Sequence, residues 1–537
     1  LNRNSASPAF IPPPETKKPL LPLVETPPDP ASLVDSEQVR PDSPTSLESI
    51  PLETHLQLTA IQLEGVTVFS EQELQPLLAS WLGKEVRFQD LQALTLAITR
   101  FYAEQGYVTS YAYLPPQAIS HGELTVRVVE GRLGQVRMEG GKYVRPGYVA
   151  RRLTLKSGEV LRLSTIERQM AILNRNPLLS GTQAILTPGQ QSGTSDLTLQ
   201  VSSERPWHAS VFADNAGRSL VGLYRSGVIL SHDNLLGRGD RLVSSTVAAN
   251  GTFSTLAEYQ LPLNRHDWTL SASYAFSRIK LGHSSEILAT DLTGTNHRAS
   301  LTLAAPLYQS THWEAQSEVS ANYYTGKLFQ GGMALEEKPG LSSFDRVTAL
   351  GAGLSVNGYP ARGSWRLHGG VEQGIAGLAG SNQAYWRLLA DGFFARQLPM
   401  GWTLLLRGQG QWSPGSVPAL VQYQAGGINS IRGFSEGFLI GDSGYSVSTE
   451  LRGPFYGLPR KIRESLQWAV FADHGAVFRN QPSSGGTRSA TATGWGVGLR
   501  GQCRPWLGAQ LDVGFMADPV RQQPDAYVHF LVTGRLF

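Results

Sequence analysis

Residues 205–537 repeat one pattern about sixteen times: roughly ten residues of alternating polarity, then a turn. In "GWTLLLRGQGQW" (401–412), Trp402, Leu404, Leu406 and Trp412 share one parity, and Thr403, Arg407, Gln409 and Gln411 the other. "SWRLHGGVE" and "PWLGAQLDVGFM" divide the same way. A period of two throws successive side chains to opposite faces of a strand. Alternation by itself also suits a soluble sandwich with one wet face. The segment length suits a tilted bilayer crossing. Trp365, Trp402, Trp412 and Trp506 fall near segment ends, where an interfacial girdle belongs. The last strand, "YVHFLVTGRLF", runs to Phe537. A sheet in hydrocarbon must close on itself, because unpaired edges are too costly there. The expected fold is therefore mainly β, with a C-terminal 16-stranded antiparallel transmembrane barrel over 205–537.

The preceding 150 residues read differently. "HLQLTAIQLEGVTVF" alternates as a strand, and Ser70 and Gly83 bracket a helix. Leu91, Leu94, Ile98 and Phe101 have the spacing of one helical face. "YVTSYAYL" and "GELTVRVVEG" follow as strands. The order strand, helix, helix, strand, strand then recurs, with Ser164 and Glu167 spaced as a capping box. This gives two tandem small α+β domains (β-α-α-β-β), at 55–131 and 132–204. Residues 1–54 are dense in proline, including Pro12, Pro13 and Pro14, and read as an extended, solvated linker or a proline-rich recognition segment. Leu1 and the residues after it show no signal-segment pattern, which is expected of a processed or trimmed start.

Composition narrows the function classes. The formal net charge is +3, far short of a nucleic-acid footprint. One cysteine, Cys503, allows neither an internal disulfide nor a multi-cysteine zinc site. His121, His208 and His368 stand apart in the sequence, so no metal site is expected. No nucleotide-binding or hydrolase motif is present, and no cofactor is expected. "GDSG" (441–444) matches a protease nucleophile motif but lacks the upstream His and Asp context, so it reads as a turn into a strand. The chain reads as a non-enzyme.

Several motifs, in order, carry a resemblance. They are "FYAEQGYVTSYAYLPPQ" (101–117), "LNRNPLLSGTQAILTPGQQSGTSDLTLQV" (173–201), "WHASVFADNAGRSLVGLYR" (207–225), "DNLLGRGD" (233–240), "SIRGF" (430–434) and "FADHGAV" (471–477). The chain resembles the outer-membrane transporters of two-partner secretion (the TpsB family of the POTRA-plus-barrel superfamily) from about residue 55 to 537. The resemblance implies two POTRA domains in the periplasm of a Gram-negative bacterium and a barrel in its outer membrane. It implies a pore that exports one large secreted protein, of adhesin, haemolysin or haem-scavenging type, unfolded and without ATP. The chain would meet outer-membrane lipid, and periplasmic chaperones and the barrel-assembly machinery during biogenesis. An assembly factor for other barrels is the alternative, and the two POTRA-like repeats disfavour a passive porin.

The resemblance also assigns residues. Asp214, Asn215, Gly217, Gly222 and Arg225 match the motif that starts the barrel, with Val221 where the family has threonine. A long loop at about 413–442 would fold into the lumen, its Arg432, Gly433 and Phe434 facing the strand that carries Asp473 and Gly475. The residues support this independently: alternation in "SLQWAVFAD" turns Asp473 into the lumen, where a charge needs a partner. Arg432 offers a fork that fits a carboxylate, and Glu450 is a second partner of the right charge. Partner capture by strand addition would use edges at Tyr107, Val108, Thr109, Tyr111 and Tyr113, and at Gln183, Ala184, Ile185 and Leu186. Two departures from the family are expected: no plug helix in 1–54, and a phase slip before Phe537 repaired by a bulge near Gly534.

Overall fold

The computed structural model describes residues 23–24, 56–119, 121–150, 152–174, 178–203, 205–218, 221–264, 266–280, 292–310, 312–330, 333–334, 344–381, 383–482, 486–517 and 525–537. The chain divides into two units, of which the N-terminal one runs from Thr16 to Glu204 and the second takes in Arg205–Phe537.

The N-terminal unit opens with β1 (Leu23–Val24). Its first repeat contains β2 (Leu56–Gln57), β3 (Ala60–Glu64), α1 (Glu71–Ala79), β4 (Glu85–Val86), α2 (Phe88–Glu104), β5 (Tyr111–Tyr113) and β6 (Glu123–Val129). Ser70 caps α1, its backbone N–H donating to the Glu73 carboxylate at 2.8 Å. Leu91, Leu94, Ile98 and Tyr102 form the buried stripe of α2. Tyr102, not Phe101, fills the fourth place because the stripe advances by four residues there. Each such apolar side chain contributes about 1.5–3 kcal/mol on burial. β3 lies parallel to β6, and β5 antiparallel on the other side of β6.

The second repeat copies the arrangement with β7 (Arg132–Gly140), α3 (Pro146–Ala150), α4 (Leu163–Asn174), β8 (Leu179–Pro188) and β9 (Thr194–Ser203). β7 is parallel to β9, and β8 antiparallel to it. Ser164 does not cap α4. The helix begins one residue earlier, with the Thr165 and Ile166 N–H groups donating to the carbonyl of Arg162. Within the proline-rich region, Leu23 and Val24 add a parallel strand to β8, opposite Ile185 and Leu186. The rest of 1–54, and with it the expectation about a plug helix, lies outside the described residues.

The second unit is a closed antiparallel barrel of sixteen strands in sequence order. The first is Trp207–Asp214, followed by Arg225–Asp233, Arg241–Ala249, Thr252–Pro262, Thr269–Lys280, Leu292–Gln309, Trp313–Gln330 and Phe344–Gly358. The ninth is Gly363–Gly374, followed by Tyr385–Gln397, Thr403–Trp412, Ser443–Pro454, Leu466–Phe478, Ser489–Arg504, Leu507–Met516 and Ala526–Arg535. The wall is uneven: the first strand has 8 residues, the sixth and seventh 18 each. The longest strands therefore exceed a bilayer crossing and project beyond it. On the thirteenth strand Ala469, Phe471 and Asp473 are buried, while Val470 faces outward.

The sixteenth strand keeps a continuous register against both neighbours, so there is no bulge at Gly534. Val528, Phe530, Val532 and Leu536 keep one parity, and Phe537 lies past the strand end, its carbonyl accepting from the Ala209 N–H at 3.2 Å. The Ala209 carbonyl accepts from the Leu536 N–H at 2.8 Å while the Ala209 N–H reaches the Phe537 carbonyl, so the change of parity falls at Leu536–Phe537, past the strand end, and not at Gly534.

Candidate functional site

Between the eleventh and twelfth strands the chain turns inward. A short hairpin pairs Tyr423–Ala425 with Leu439–Gly441. Tyr423, Ile431, Phe434 and Leu439 pack with Val477, Ala492 and Met516 of the thirteenth to fifteenth strands. Ile431 and Phe434 are 0% and 1% exposed, which fixes the loop tip against the inner wall of the barrel.

The tip carries Arg432. Its Nε and Nη2 donate to the two oxygens of Asp473 at 2.7 and 2.8 Å, and its backbone N–H adds a third bond at 3.0 Å. Nη1 donates to Glu450, and Nη2 to Ser448 Oγ at 3.1 Å. The guanidinium lies 3.5 Å from the ring centroid of Phe471. A planar fork satisfies all these positions at once, whereas an ammonium has no such geometry. Gly433 follows at φ +95°, a conformation that favours glycine, and its N–H donates to His529 Nε2 at 3.3 Å. Gly475 lies beneath Ile431; a Cβ there would approach the Ile431 Cδ1 to 2.6 Å.

Sequence reasoning missed half of this seat. Arg500 bridges Glu450 and Asp512 through contacts of 2.8 and 2.7 Å, and Arg452 donates to Glu450 at 2.6 Å. Three guanidinium groups and three carboxylates thus interlock. The backbone of the tip rests on Gly494 and Gly514, where an added Cβ would collide with the Arg432 carbonyl and the Gly433 nitrogen. A signal was available in "TGWGVGLRG": Trp495, Val497 and Leu499 point outward, so Gly494, Gly496 and Gly498 leave the lumen side of that strand bare. The "GDSG" residues form the neck of the loop. Asp442 accepts from the N–H groups of Val417 and Asn480 at 3.0 and 2.8 Å.

The barrel-start residues gather elsewhere. Arg225 pairs bidentately with Asp214 at 2.8 and 3.0 Å. The Asn215 side chain donates to the Val528 carbonyl at 2.6 Å and accepts from the Phe530 N–H at 2.9 Å. It extends the pairing between first and sixteenth strands beyond the last backbone pair, Asp214 with Leu531. Gly217 N–H donates to the Leu223 carbonyl, and Gly222 turns at φ +107°.

The expected docking edges are only partly present. β5 covers Tyr111–Tyr113, and its side away from β6 carries no strand among the described residues. Tyr107, Val108 and Thr109 precede the strand. Tyr107 packs edge-on against Phe69 and faces the Arg162 guanidinium, because it serves the junction between the repeats. Gln183, Ala184, Ile185 and Leu186 do lie on β8, but Leu23–Val24 occupies that edge, and Ala184 is buried.

Comparison with known proteins places this geometry. The family model for haemolysin secretion/activation protein ShlB/FhaC/HecB matches residues 193–501, and that for the ShlB-type POTRA domain matches 56–131. The chain is 28% identical over 459 residues to the outer membrane transporter CdiB of Escherichia coli O6:K15:H31, covering 81% of this chain and 76% of that one. It is 22% identical over 438 residues to the heme/hemopexin transporter protein HuxB of Haemophilus influenzae, covering 76% and 74%. The solved structure of CdiB from Escherichia coli superposes with a TM-score of 0.67 at 22% identity, over 92% of this chain and 93% of that chain, and supports the fold. The chain, a sixteen-stranded outer-membrane barrel with periplasmic POTRA domains, belongs to the ShlB/FhaC/HecB family of two-partner secretion transporters.

Proposed function

We propose that this chain exports one large secreted protein, captured in extended form by the POTRA domains and passed unfolded through the barrel. The observation that carries the reading is how the lumen is filled. The filling is a loop joined to the wall by side-chain bonds at Arg432, not a strand of the barrel, so it can leave without breaking the sheet. The seat suits a closure that opens: ionised groups with fixed partners when the loop is in, and water as a substitute when it is out.

Capture by strand addition is supported by the β5 edge, where Tyr111 is exposed. The second repeat offers the equivalent edge at β8 only when Leu23–Val24 is elsewhere. No nucleotide site is needed, because folding outside the cell makes passage irreversible. The partner is read as an adhesin, a haemolysin or a haem-scavenging protein; the last two kinds accord with the names of two relatives, the hemolysin transporter ShlB of Serratia marcescens and the heme/hemopexin transporter HuxB.

The test is the protein content of a deletion strain. An exporter mutant loses one large protein from the medium and keeps its outer-membrane barrels. Loss of many barrels would replace this reading with an assembly function.

A further inference from the structure

The tip is not the only place where the loop meets the wall. Its incoming limb passes through a 3-10 turn at Ala419–Val421, and Val421 is 0% exposed. The Val421 carbonyl accepts two bonds: from Arg387 Nη1 at 2.9 Å and from Gln411 Nε2 at 3.0 Å. Gln411 Nε2 also reaches the Asp442 carbonyl at 2.9 Å, joining the limb to the neck. Arg387 is held in turn by Glu372, through Nε at 2.8 Å and Nη2 at 2.6 Å, and Tyr385 donates to the same carboxylate at 2.6 Å. All these side chains are buried. They come from the ninth to eleventh strands, whereas the Arg432 seat uses the twelfth to sixteenth.

We propose that Arg387 and Gln411 form a second holding point for the loop, independent of Arg432, so that release of the tip leaves the limb in place. The two points are built with opposite polarity. At the tip the loop brings the cation, and its departure strips Asp473 of a countercharge. At the limb the wall supplies both charges, and the loop contributes a main-chain carbonyl together with the apolar side chains of Val417, Leu420 and Val421, which pack with Tyr324, Val347, Ala349 and Tyr385. Withdrawal of the limb leaves Arg387 paired with Glu372, and water can replace the carbonyl. The polar part of the limb contact is therefore the more readily reversed, and Arg387 acts as a positioning residue for it. The inference rests on reading the loop as the removable closure, but its test needs no secreted partner.

The assay is the rate at which a membrane-impermeant thiol reagent modifies single cysteines in the assembled transporter. The exposed Cys503 is first replaced by serine. Reporters are Val421→Cys on the limb and Ser435→Cys beside the tip. Arg432→Ala should speed modification at 435 and leave 421 at the parent rate. Arg387→Gln should speed 421 by roughly tenfold, the factor that one charge-assisted hydrogen bond confers, and leave 435 unchanged. Arg387→Lys, which keeps the charge beside Glu372, should fall between. Gln411→Leu, which spares the Arg387–Glu372 pair, should reproduce the effect at 421 and serves if Arg387→Gln fails to assemble. Equal acceleration of both reporters by Arg432→Ala, or parent rates at 421 in the Arg387 and Gln411 variants, would overturn the second holding point. Either result would leave the export reading to be judged by secretion alone.

Discussion

Replacing Arg432 or Asp473 with alanine removes the same ion pair, yet the two changes should differ in size. In Arg432→Ala, Asp473 stays buried with only the residue-432 N–H of its three bonds from that residue. An uncompensated buried charge costs about 3–5 kcal/mol, and unseating the loop relieves it by admitting water. The equilibrium between seated and unseated loop should shift by roughly a hundredfold or more. In Asp473→Ala, Arg432 still reaches Glu450 and Ser448. The loss is then closer to hydrogen bonds on a charged group, about 1.5–3 kcal/mol. Arg432→Ala should therefore open the pore more than Asp473→Ala, and the double variant should not exceed Arg432→Ala by much, since both delete one interaction. Arg432→Lys should fall between wild type and Arg432→Ala. The measurement is the fraction of time at large conductance in planar bilayers, at fixed voltage and equal amounts of assembled barrel. An Asp473→Ala pore as open as Arg432→Ala would refute the asymmetry, and wild-type conductance in both would refute the latch.

Three further outcomes are expected. Gly494→Ala places a Cβ against the Arg432 carbonyl and should open the pore as Arg432→Ala does, while Gly408→Ala, with open space around it, should not; matching conductance for the two would remove the steric argument. Asn215→Asp keeps the acceptor for the Phe530 N–H but loses the donor to the Val528 carbonyl, so it should weaken closure by about 1–3 kcal/mol and lower the temperature of the heat-induced gel shift; an unchanged transition counts against the side-chain staple. In the first repeat, burial pushes the Glu130 carboxyl up, but bonds from Thr67 and Val68 override it and hold the group below the ordinary 4.5. A depressed folded value stabilises above the unfolded pKa and is lost as pH falls through the folded one, so hydrogen-exchange protection near Thr67 should drop on acidification below about 4.5 and lose that dependence in Glu130→Gln.

The barrel was legible because a period of two runs through most of its strands, whatever fills the lumen, although the pairing slips at Pro306/Tyr308 and at Gln502/Arg504. Arg432 and Asp473 were legible because one sits in a loop without a nearby countercharge and the other at a lumen-facing position. Arg500, Asp512 and the glycine seat were not found, because each looks like an ordinary residue of its own strand until register brings the fourteenth and fifteenth strands under the loop. Tyr107 was misplaced for the opposite reason. Its neighbours alternate like a strand, but the turn after α2 brings it to Phe69 and Arg162 instead. The pairing of Leu23 with β8 could not be read from a proline-rich context, since parallel addition of two residues leaves no periodicity.

The loop tip finds its partners ahead of itself along the chain. Glu450, Asp473, Gly494, Asp512 and His529 all follow Arg432, and the last of them lies on the final strand. During synthesis, and during any assembly that proceeds from the N-terminal strands, Arg432 exists before anything it binds. Gly433, whose N–H meets His529, lies 96 residues before it, so the contact closes late and slowly on entropic grounds. The wall that receives Val421 lies earlier and is available first. A barrel whose closing strands are delayed or damaged therefore has no complete seat for its loop tip. Completion of the sheet and sealing of the passage become one event, so a half-built barrel lacks the means to seal its own lumen.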